Sequence, residues 1–257
     1  MVELNYKEYG EGSPVIILHG LFGMLDNWQT IAKHLAANNM IFLIDQRNHG
    51  RSPHTDDEVT YKLLAEDLKE FMEAHWIYKA HIIGHSMGGK TAMQFALDNP
   101  DMVDSLVVID IAPKEYEAGH DLVFSALRSL DIATLTERKV AAEELAKTIK
   151  DIGTLQFLLK NLTLNHEGRF EWKMNLSVLW RDYHNILGNV TGDAFEGKTL
   201  FIRGQKSDYV QDSDIMAIHD LFPNAQVQTI ADAGHWVHAE KPKELLESLA
   251  AFYSTCA

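Results

Sequence analysis

The sequence predicts an α/β fold built on a mostly parallel, doubly wound sheet with an inserted helical cap. Short, continuous β-branched runs recur along the chain and alternate with helix-patterned stretches. Such runs suit parallel strands buried on both faces. One of them leads directly into Gly84-His85-Ser86-Met87-Gly88, with the helix-forming run Lys90-Thr91-Ala92-Met93-Gln94-Phe95-Ala96-Leu97 close behind. The alternation then stops, late in the chain, over residues 114–190. The expected division is a core of residues 1–113 and 191–257, with residues 114–190 as a cap between two strands.

Residues 2–9 alternate apolar and polar side chains, as an antiparallel edge strand does. Gly10-Glu11-Gly12-Ser13-Pro14 is a turn. Val15-Ile16-Ile17-Leu18 is a buried strand ending in His19-Gly20-Leu21-Phe22-Gly23, and residues 28–37 read as a helix. Met40-Ile41-Phe42-Leu43-Ile44 is the next strand. Residues 61–75 form a helix with Leu64, Leu68, Phe71 and Met72 on one face. After the Ser86 segment comes Leu106-Val107-Val108-Ile109, closed by Asp110. Residues 114–190 read as wholly helical, with apolar faces at Leu122, Leu127 and Leu130, then Val140, Leu145 and Ile149, then Leu155, Leu158 and Leu159. Strand signals return at Thr199-Leu200-Phe201-Ile202-Arg203 and at Val227-Gln228-Thr229-Ile230, with helices near 213–221 and 242–253.

Composition narrows the function. The net charge is −14, from 37 acidic against 23 basic residues, which argues against unaided binding to nucleic acid or an anionic membrane. The single cysteine, Cys256, can form no disulfide within the chain and suits a reducing compartment. The first residues lack the basic and apolar regions of a signal peptide, and no apolar run reaches membrane-spanning length. A soluble, cytoplasmic protein is expected. The 13 histidines fall in no recognised metal-ligand spacing, so neither metal nor cofactor is expected.

The Gly-x-Ser-x-Gly pattern alone is weak, since roughly one chain in ten of this length would carry it by chance. Its context adds weight. A serine at a tight strand-to-helix turn has its Oγ pushed outward, beside the free N–H groups of the new helix. It still needs a base to take its proton, and the base needs an acid to hold its tautomer. In open parallel sheets such groups collect at the carboxyl ends of strands. Ser86, Asp110 and His235 each follow a predicted strand. So does Asp208, in Gly204-Gln205-Lys206-Ser207-Asp208, and either acid can reach the histidine. Asp232 is too near His235 in sequence to orient it easily.

An oxyanion hole needs two preorganised donors. Met87 N–H, after the nucleophile, is one; the other is Leu21 N–H, with Phe22 as the alternative. Phe22, Phe124 and Trp180 are candidates for the substrate pocket, beside Phe157, Leu158, Phe170, Trp172 and Tyr183. The cap cations Arg128, Arg138, Lys139, Lys147 and Lys160 either meet a phosphate-bearing leaving group or form a solvated helix face. His19, His49, His85 and His238 read as structural.

His19-Gly20, Asp45-Gln46-Arg47-Asn48-His49-Gly50-Arg51-Ser52, Gly84-His85-Ser86-Met87-Gly88-Gly89, Val108-Ile109-Asp110-Ile111-Ala112-Pro113 and Ala233-Gly234-His235-Trp236 together resemble the α/β-hydrolases. Within that superfamily the chain is most similar to the YbfF-type bacterial esterases, over nearly all of its length outside the cap. The resemblance implies a Ser86-Asp110-His235 triad, with Ser207 joining its hydrogen bonds. Many other α/β-hydrolases carry the acid in the later loop, where Asp208 stands. The implied activity is hydrolysis of a carboxylic ester or acyl thioester through an acyl-enzyme. The alternatives are a C–C bond hydrolase or cofactor-independent haloperoxidase on the same triad, or a non-catalytic small-molecule receptor. Epoxide and haloalkane hydrolases use an aspartate where Ser86 stands.

Overall fold

The computed structural model describes residues 2–254, so Cys256 lies outside the described residues. Within them the strands are β1 (Tyr6–Tyr9), β2 (Ser13–Leu18), β3 (Asn39–Ile44), β4 (Ala80–His85), β5 (Val103–Ile109), β6 (Leu162–Leu164), β7 (Phe170–Trp172), β8 (Thr199–Gly204) and β9 (Ala225–Ile230). Seven of them make one sheet in the order β1-β3-β2-β4-β5-β8-β9. β1 runs antiparallel to β3, and the remaining neighbours are parallel. The order reverses between β2 and β4, and ligands in open sheets bind outside the strand ends at such a reversal. Ser86 follows β4 there.

Successive side chains of a strand point to opposite faces, so a strand buried on both faces must be apolar throughout. In β2, Val15 and Ile17 join one core while Ile16 and Leu18 join the other; β3 divides Ile41 and Leu43 from Phe42 and Ile44 in the same way. The first core packs against α1 (Gln29–Leu35) and α11 (Pro242–Ser254), through Ile31, Ala32, Leu245, Leu249 and Phe252. The second packs against α2 (Tyr61–Ala74) and α3 (Met87–Asp98). Thr60 caps α2 by accepting Leu63 N–H at 3.2 Å, and the expected face Leu64, Leu68, Phe71 and Met72 is buried.

Between β5 and β8 the chain forms α4 (Asp121–Ser129), α5 (Arg138–Ala146), α6 (Ile152–Leu159), the β6–β7 ribbon, α7 (Leu176–Arg181) and α8 (Tyr183–Leu187). The expectation of a wholly helical segment therefore needs correction. Leu162 to Leu164 pairs antiparallel with Phe170 to Trp172. The turn between them closes on Gly168, at φ 75°, and on Asn165 Oδ1, which accepts the Glu167 and Arg169 N–H groups. Strands of three residues are too short to show a period of two. α9 (Ile215–Leu221) and α10 (Val237–Glu240) complete the helices.

A buried lysine ties this segment to α3. Lys90, in the first turn of α3, is 1% exposed. Its Nζ donates to Lys114 O at 2.7 Å, Leu187 O at 3.1 Å and Gly188 O at 2.5 Å, carbonyls flanking both ends of the insertion. The Tyr116 ring centroid lies 4.7 Å away. Burial pushes the ammonium down to about 7, partly opposed by Glu115 and reinforced by Lys114. The carbonyls and the ring face favour the charged form. Lys90→Met would leave three carbonyls without their donor. Hydrogen bonds to charged groups contribute about 1.5–3 kcal/mol each, and relief of charge burial offsets part of that loss. The expected net cost is about 2–3 kcal/mol, read as a lower urea midpoint at unchanged m value. An unchanged midpoint would show that the anchor contributes no stability.

Candidate active site

β4 delivers Ser86 into backbone geometry that non-glycine residues rarely adopt, φ 53° and ψ −121°. The turn is tight enough to explain both flanking glycines. A Cβ on Gly84 would overlap Gly88 O, and one on Gly88 would lie 2.5 Å from the carbonyl oxygens of Leu18 and His19. Ser86 N–H donates to Ile109 O at 3.0 Å, fixing the turn against β5. Met87 is the first residue of α3, so its N–H has no carbonyl one turn back within the helix.

Asp110 follows β5 and also has positive φ, 54°. Its side chain is fully buried. Oδ1 accepts Gly204 N–H at 2.9 Å; Oδ2 accepts the Ser207 hydroxyl and His235 Nδ1–H, the latter at 2.7 Å. With Nδ1 donating, His235 Nε2 is the acceptor, and it lies 3.1 Å from Ser86 Oγ. The loop after β9 thus brings His235 between Ser86 and Asp110. Asp208, the alternative acid, is exposed, and among the described residues no hydrogen bond joins it to His235.

Two rings pack against the histidine. Tyr209 stacks on it with centroids 3.9 Å apart at 20°, and the His85 ring lies at 4.8 Å, tilted by 43°. His85 Nε2 donates to His235 O at 2.9 Å, a positioning contact that suits its expected structural role.

The loop carrying Leu21 is set by two neutral histidines. His19 Nδ1–H donates to Gly20 O at 2.8 Å while its Nε2 accepts Gln46 N–H at 3.0 Å. His49 Nδ1–H donates to Arg47 O at 3.0 Å while its Nε2 accepts Phe22 N–H at 3.3 Å. That bond occupies Phe22 N–H. No acceptor for Leu21 N–H is found among the described residues. Asn161, from the insertion, donates to Phe22 O at 2.7 Å and braces the loop from the other side. Arg47 is locked by a bidentate bond to Asp67 at 2.5 Å for each contact, with both side chains buried.

A second proton on His19 or His49 would face a backbone N–H. Burial lowers His19 to about 4 and His49 to about 3, the latter helped by the adjacent His19. His238, stacked on Trp28 at 4.2 Å, is lowered to about 3, first by burial and then by His235. Histidines lowered in the folded state favour folding fully above pH 6.5. Their contribution is lost as the pH falls from there toward 3–4, because the unfolded chain takes up protons that the folded one refuses. Each such proton gives a slope of about 1.4 kcal/mol per pH unit. Urea unfolding at pH 7, 6 and 5 should show falling stability, with more than one proton taken up per molecule at pH 5. A flat profile would contradict these assignments.

Two cavities open at Ser86. The larger, about 280 Å³, is lined by Phe22, Val123, Phe157, Leu158, His235 and Trp236 among others. The smaller, about 100 Å³, is lined by Tyr61, Met87, Lys90, Tyr116, Tyr183 and Ile186 among others. Leu21, His120 and Tyr209 border both. Phe22 is at the wall of the larger cavity. Phe124 and Trp180, expected beside it, line neither. Phe124 is fully buried behind Phe22, with Trp180 and Tyr183 packed on it at 5.1 and 4.9 Å. Arg128 covers Trp180 at 5.2 Å.

The other cations of the insertion also lie away from the cavities. Arg138 bonds Leu159 O and Leu162 O, while Lys139 and Lys147 pair with Glu143 and Glu144 on their own helix and its end. Lys160 is exposed and borders neither cavity. Tyr209, Lys90, His120 and Trp236 were not expected at the site, although Lys90 follows Gly89, Tyr209 follows Asp208 and Trp236 follows His235. Among the described residues no three His, Cys, Asp or Glu side chains are grouped as a metal site requires. No helix among them is long and apolar enough to cross a membrane.

Comparison with known proteins agrees with this architecture. A family model described as the alpha/beta hydrolase fold matches residues 13–242. Esterase YbfF of Escherichia coli K12 is 40% identical over 241 residues, covering 92% of this chain and 91% of the relative. The sn-1-specific diacylglycerol lipase ABHD11 of Danio rerio is 38% identical over 263 residues, covering 98% and 82%. A solved structure described as a marine microorganism esterase superposes with a TM-score of 0.96 at 42% identity, covering 98% of this chain and all of that one. The parallel sheet, its reversal at the Ser86 turn and these matches have one common explanation: the chain belongs to the alpha/beta hydrolase fold family.

Proposed function

We propose that Ser86, His235 and Asp110 act as a catalytic triad that cleaves carboxylic esters or acyl thioesters through an acyl-enzyme. The chain is a carboxylesterase-type hydrolase, a class supported by relatives named esterase and diacylglycerol lipase. The carrying observation is the continuous hydrogen-bond chain from Ser86 Oγ through His235 to buried Asp110, beginning at a serine with positive φ.

Ser86 Oγ attacks the acyl carbon as His235 Nε2 takes its proton. Asp110 keeps Nδ1–H in place and stabilises the imidazolium. The N–H groups of Leu21 and Met87 receive the oxyanion, strengthened by the positive end of α3. His235 then protonates the leaving oxygen or sulfur. Water, activated by the same histidine, releases the acid and restores Ser86. A bound receptor would need none of this alignment. Residues 114–190 serve as the cap, since Val123, Thr154, Phe157 and Leu158 wall the larger cavity. The net charge of −14 and the lone Cys256 fit a soluble cytoplasmic enzyme working without nucleic acid or membrane insertion.

The test is a panel of p-nitrophenyl esters, acyl thioesters and carbon–carbon substrates, assayed with the parent protein and a Ser86→Ala control. Ser86-dependent turnover of oxygen esters or thioesters supports the proposal. Turnover confined to carbon–carbon substrates would replace it.

A further inference from the structure

The two cavities share Ser86 but contain different parts of the machinery. His235 lines the larger one and not the smaller; Met87 lines the smaller one and not the larger. The proton held on His235 Nε2 after attack must reach the leaving oxygen, so the leaving group belongs on the histidine side. The acyl chain departs from the same carbon in the other direction, past Met87. We infer that the smaller cavity takes a short, uncharged aliphatic acyl group and the larger one an extended apolar alcohol. This assignment rests on the triad proposed above.

Cavity size and wall chemistry both support it. About 100 Å³ against about 280 Å³ leaves room for only a few acyl carbons and for a much longer alcohol. The small cavity has several polar residues, and the side-chain polar atoms of Tyr61, Tyr116, Tyr183 and Lys90 are already engaged. Tyr61 O–H donates to Ile186 O at 2.5 Å, and Tyr116 O–H to Tyr209 O at 2.6 Å. Tyr183 Oη accepts the Gly119 and His120 N–H groups at 3.3 and 3.0 Å. Lys90 has three protons and three carbonyl acceptors. The wall therefore offers mainly ring faces and methyl groups, and Lys90 has no N–H left to donate to an acyl carboxylate. Glu117, also at this wall, would repel one. Burying an unpaired carboxylate there is strongly unfavourable.

Octyl butyrate and butyl octanoate are constitutional isomers and isolate the question. They have the same atoms and exchange only which arm is long. Hydrophobic pockets distinguish chains differing by even one methylene by about tenfold or more. Octyl butyrate should exceed butyl octanoate in kcat/KM by at least about tenfold. Octyl hydrogen succinate, whose four-carbon acyl chain ends in a carboxylate, should fall below octyl butyrate by a similar factor or more. Ile186→Ala, which enlarges the small cavity, should raise turnover of butyl octanoate and narrow the ratio severalfold. Phe157→Ala, in the larger cavity, should weaken turnover of octyl butyrate without raising that of butyl octanoate.

A ratio near one, or one favouring butyl octanoate, overturns the assignment. So does efficient cleavage of the succinate ester. In each case Ser86-dependent turnover leaves the esterase reading standing. Absence of Ser86-dependent turnover of both isomers overturns the assignment; the hydrolase reading falls with it only if the ester and thioester panel above shows no Ser86-dependent turnover either.

Discussion

Ser86→Ala should lose ester hydrolysis by a factor on the order of 10⁵ or more while remaining folded. Removal of the nucleophile in a comparable triad costs about 2 × 10⁶ in kcat, with the residual rate coming from binding and the oxyanion hole. The fold should tolerate the change. Ser86 Oγ makes one hydrogen bond, to His235, and its half-exposed side chain contributes little packing. The positive φ of 53° is already borne by a residue with a Cβ, so alanine adds no new strain. Circular dichroism and the urea midpoint should match those of the parent. A folded variant with undiminished turnover would remove Ser86 from the chemistry.

Asp110→Asn should lose about four orders of magnitude in turnover. Asparagine keeps the volume but replaces an acceptor-only group with one that carries two donors. Asp110 Oδ2 accepts both the Ser207 hydroxyl and His235 Nδ1–H, so an amide nitrogen at that position meets two donors. Relief comes if the imidazole shifts its proton to Nε2, and that tautomer cannot accept from Ser86. Asp208→Asn is the matched control. Its carboxylate is exposed and should cost tenfold or less, about 1.4 kcal/mol of barrier. Both variants are to be purified, checked for folding and assayed side by side on one ester. If Asp208→Asn is the inactive one, the acid has been misassigned. If both are mild singly and the double variant is inactive, the two acids substitute for each other.

The core strands and the candidate triad were legible because burial leaves a simple trace. Strands covered on both faces must be apolar throughout, and Ser86 and Asp110 each stand where such a run ends, while His235 stands in the loop after the edge strand β9. The choice between Asp110 and Asp208 was not legible from the residues alone, since both follow strands. It depends on side-chain direction: Asp110, at φ 54°, turns toward His235, and Asp208 faces solvent.

The break in strand–helix alternation over residues 114–190 was legible, but the detail of that segment was not. Phe124 and Trp180 have the composition of a pocket wall, yet an aromatic residue on a short helix packs either inward or toward the cavity. Here they form an aromatic cluster behind Phe22. The β6–β7 ribbon escaped because its strands are three residues long. Lys90 gave no sign of burial, because its acceptors, Lys114, Leu187 and Gly188, come together only through the tertiary fold. Tyr209 likewise meets His235 across 26 positions of sequence, with no motif joining them.

Ser86 should become covalently acylated because His235 and Asp110 activate it. Fluorophosphonate treatment followed by intact-mass measurement and peptide mapping tests it most directly. The account predicts a single adduct on the peptide containing Ser86, absent from Ser86→Ala and formed far more slowly by His235→Ala and Asp110→Asn. An adduct at another residue, or undiminished labelling of folded His235→Ala, would contradict it.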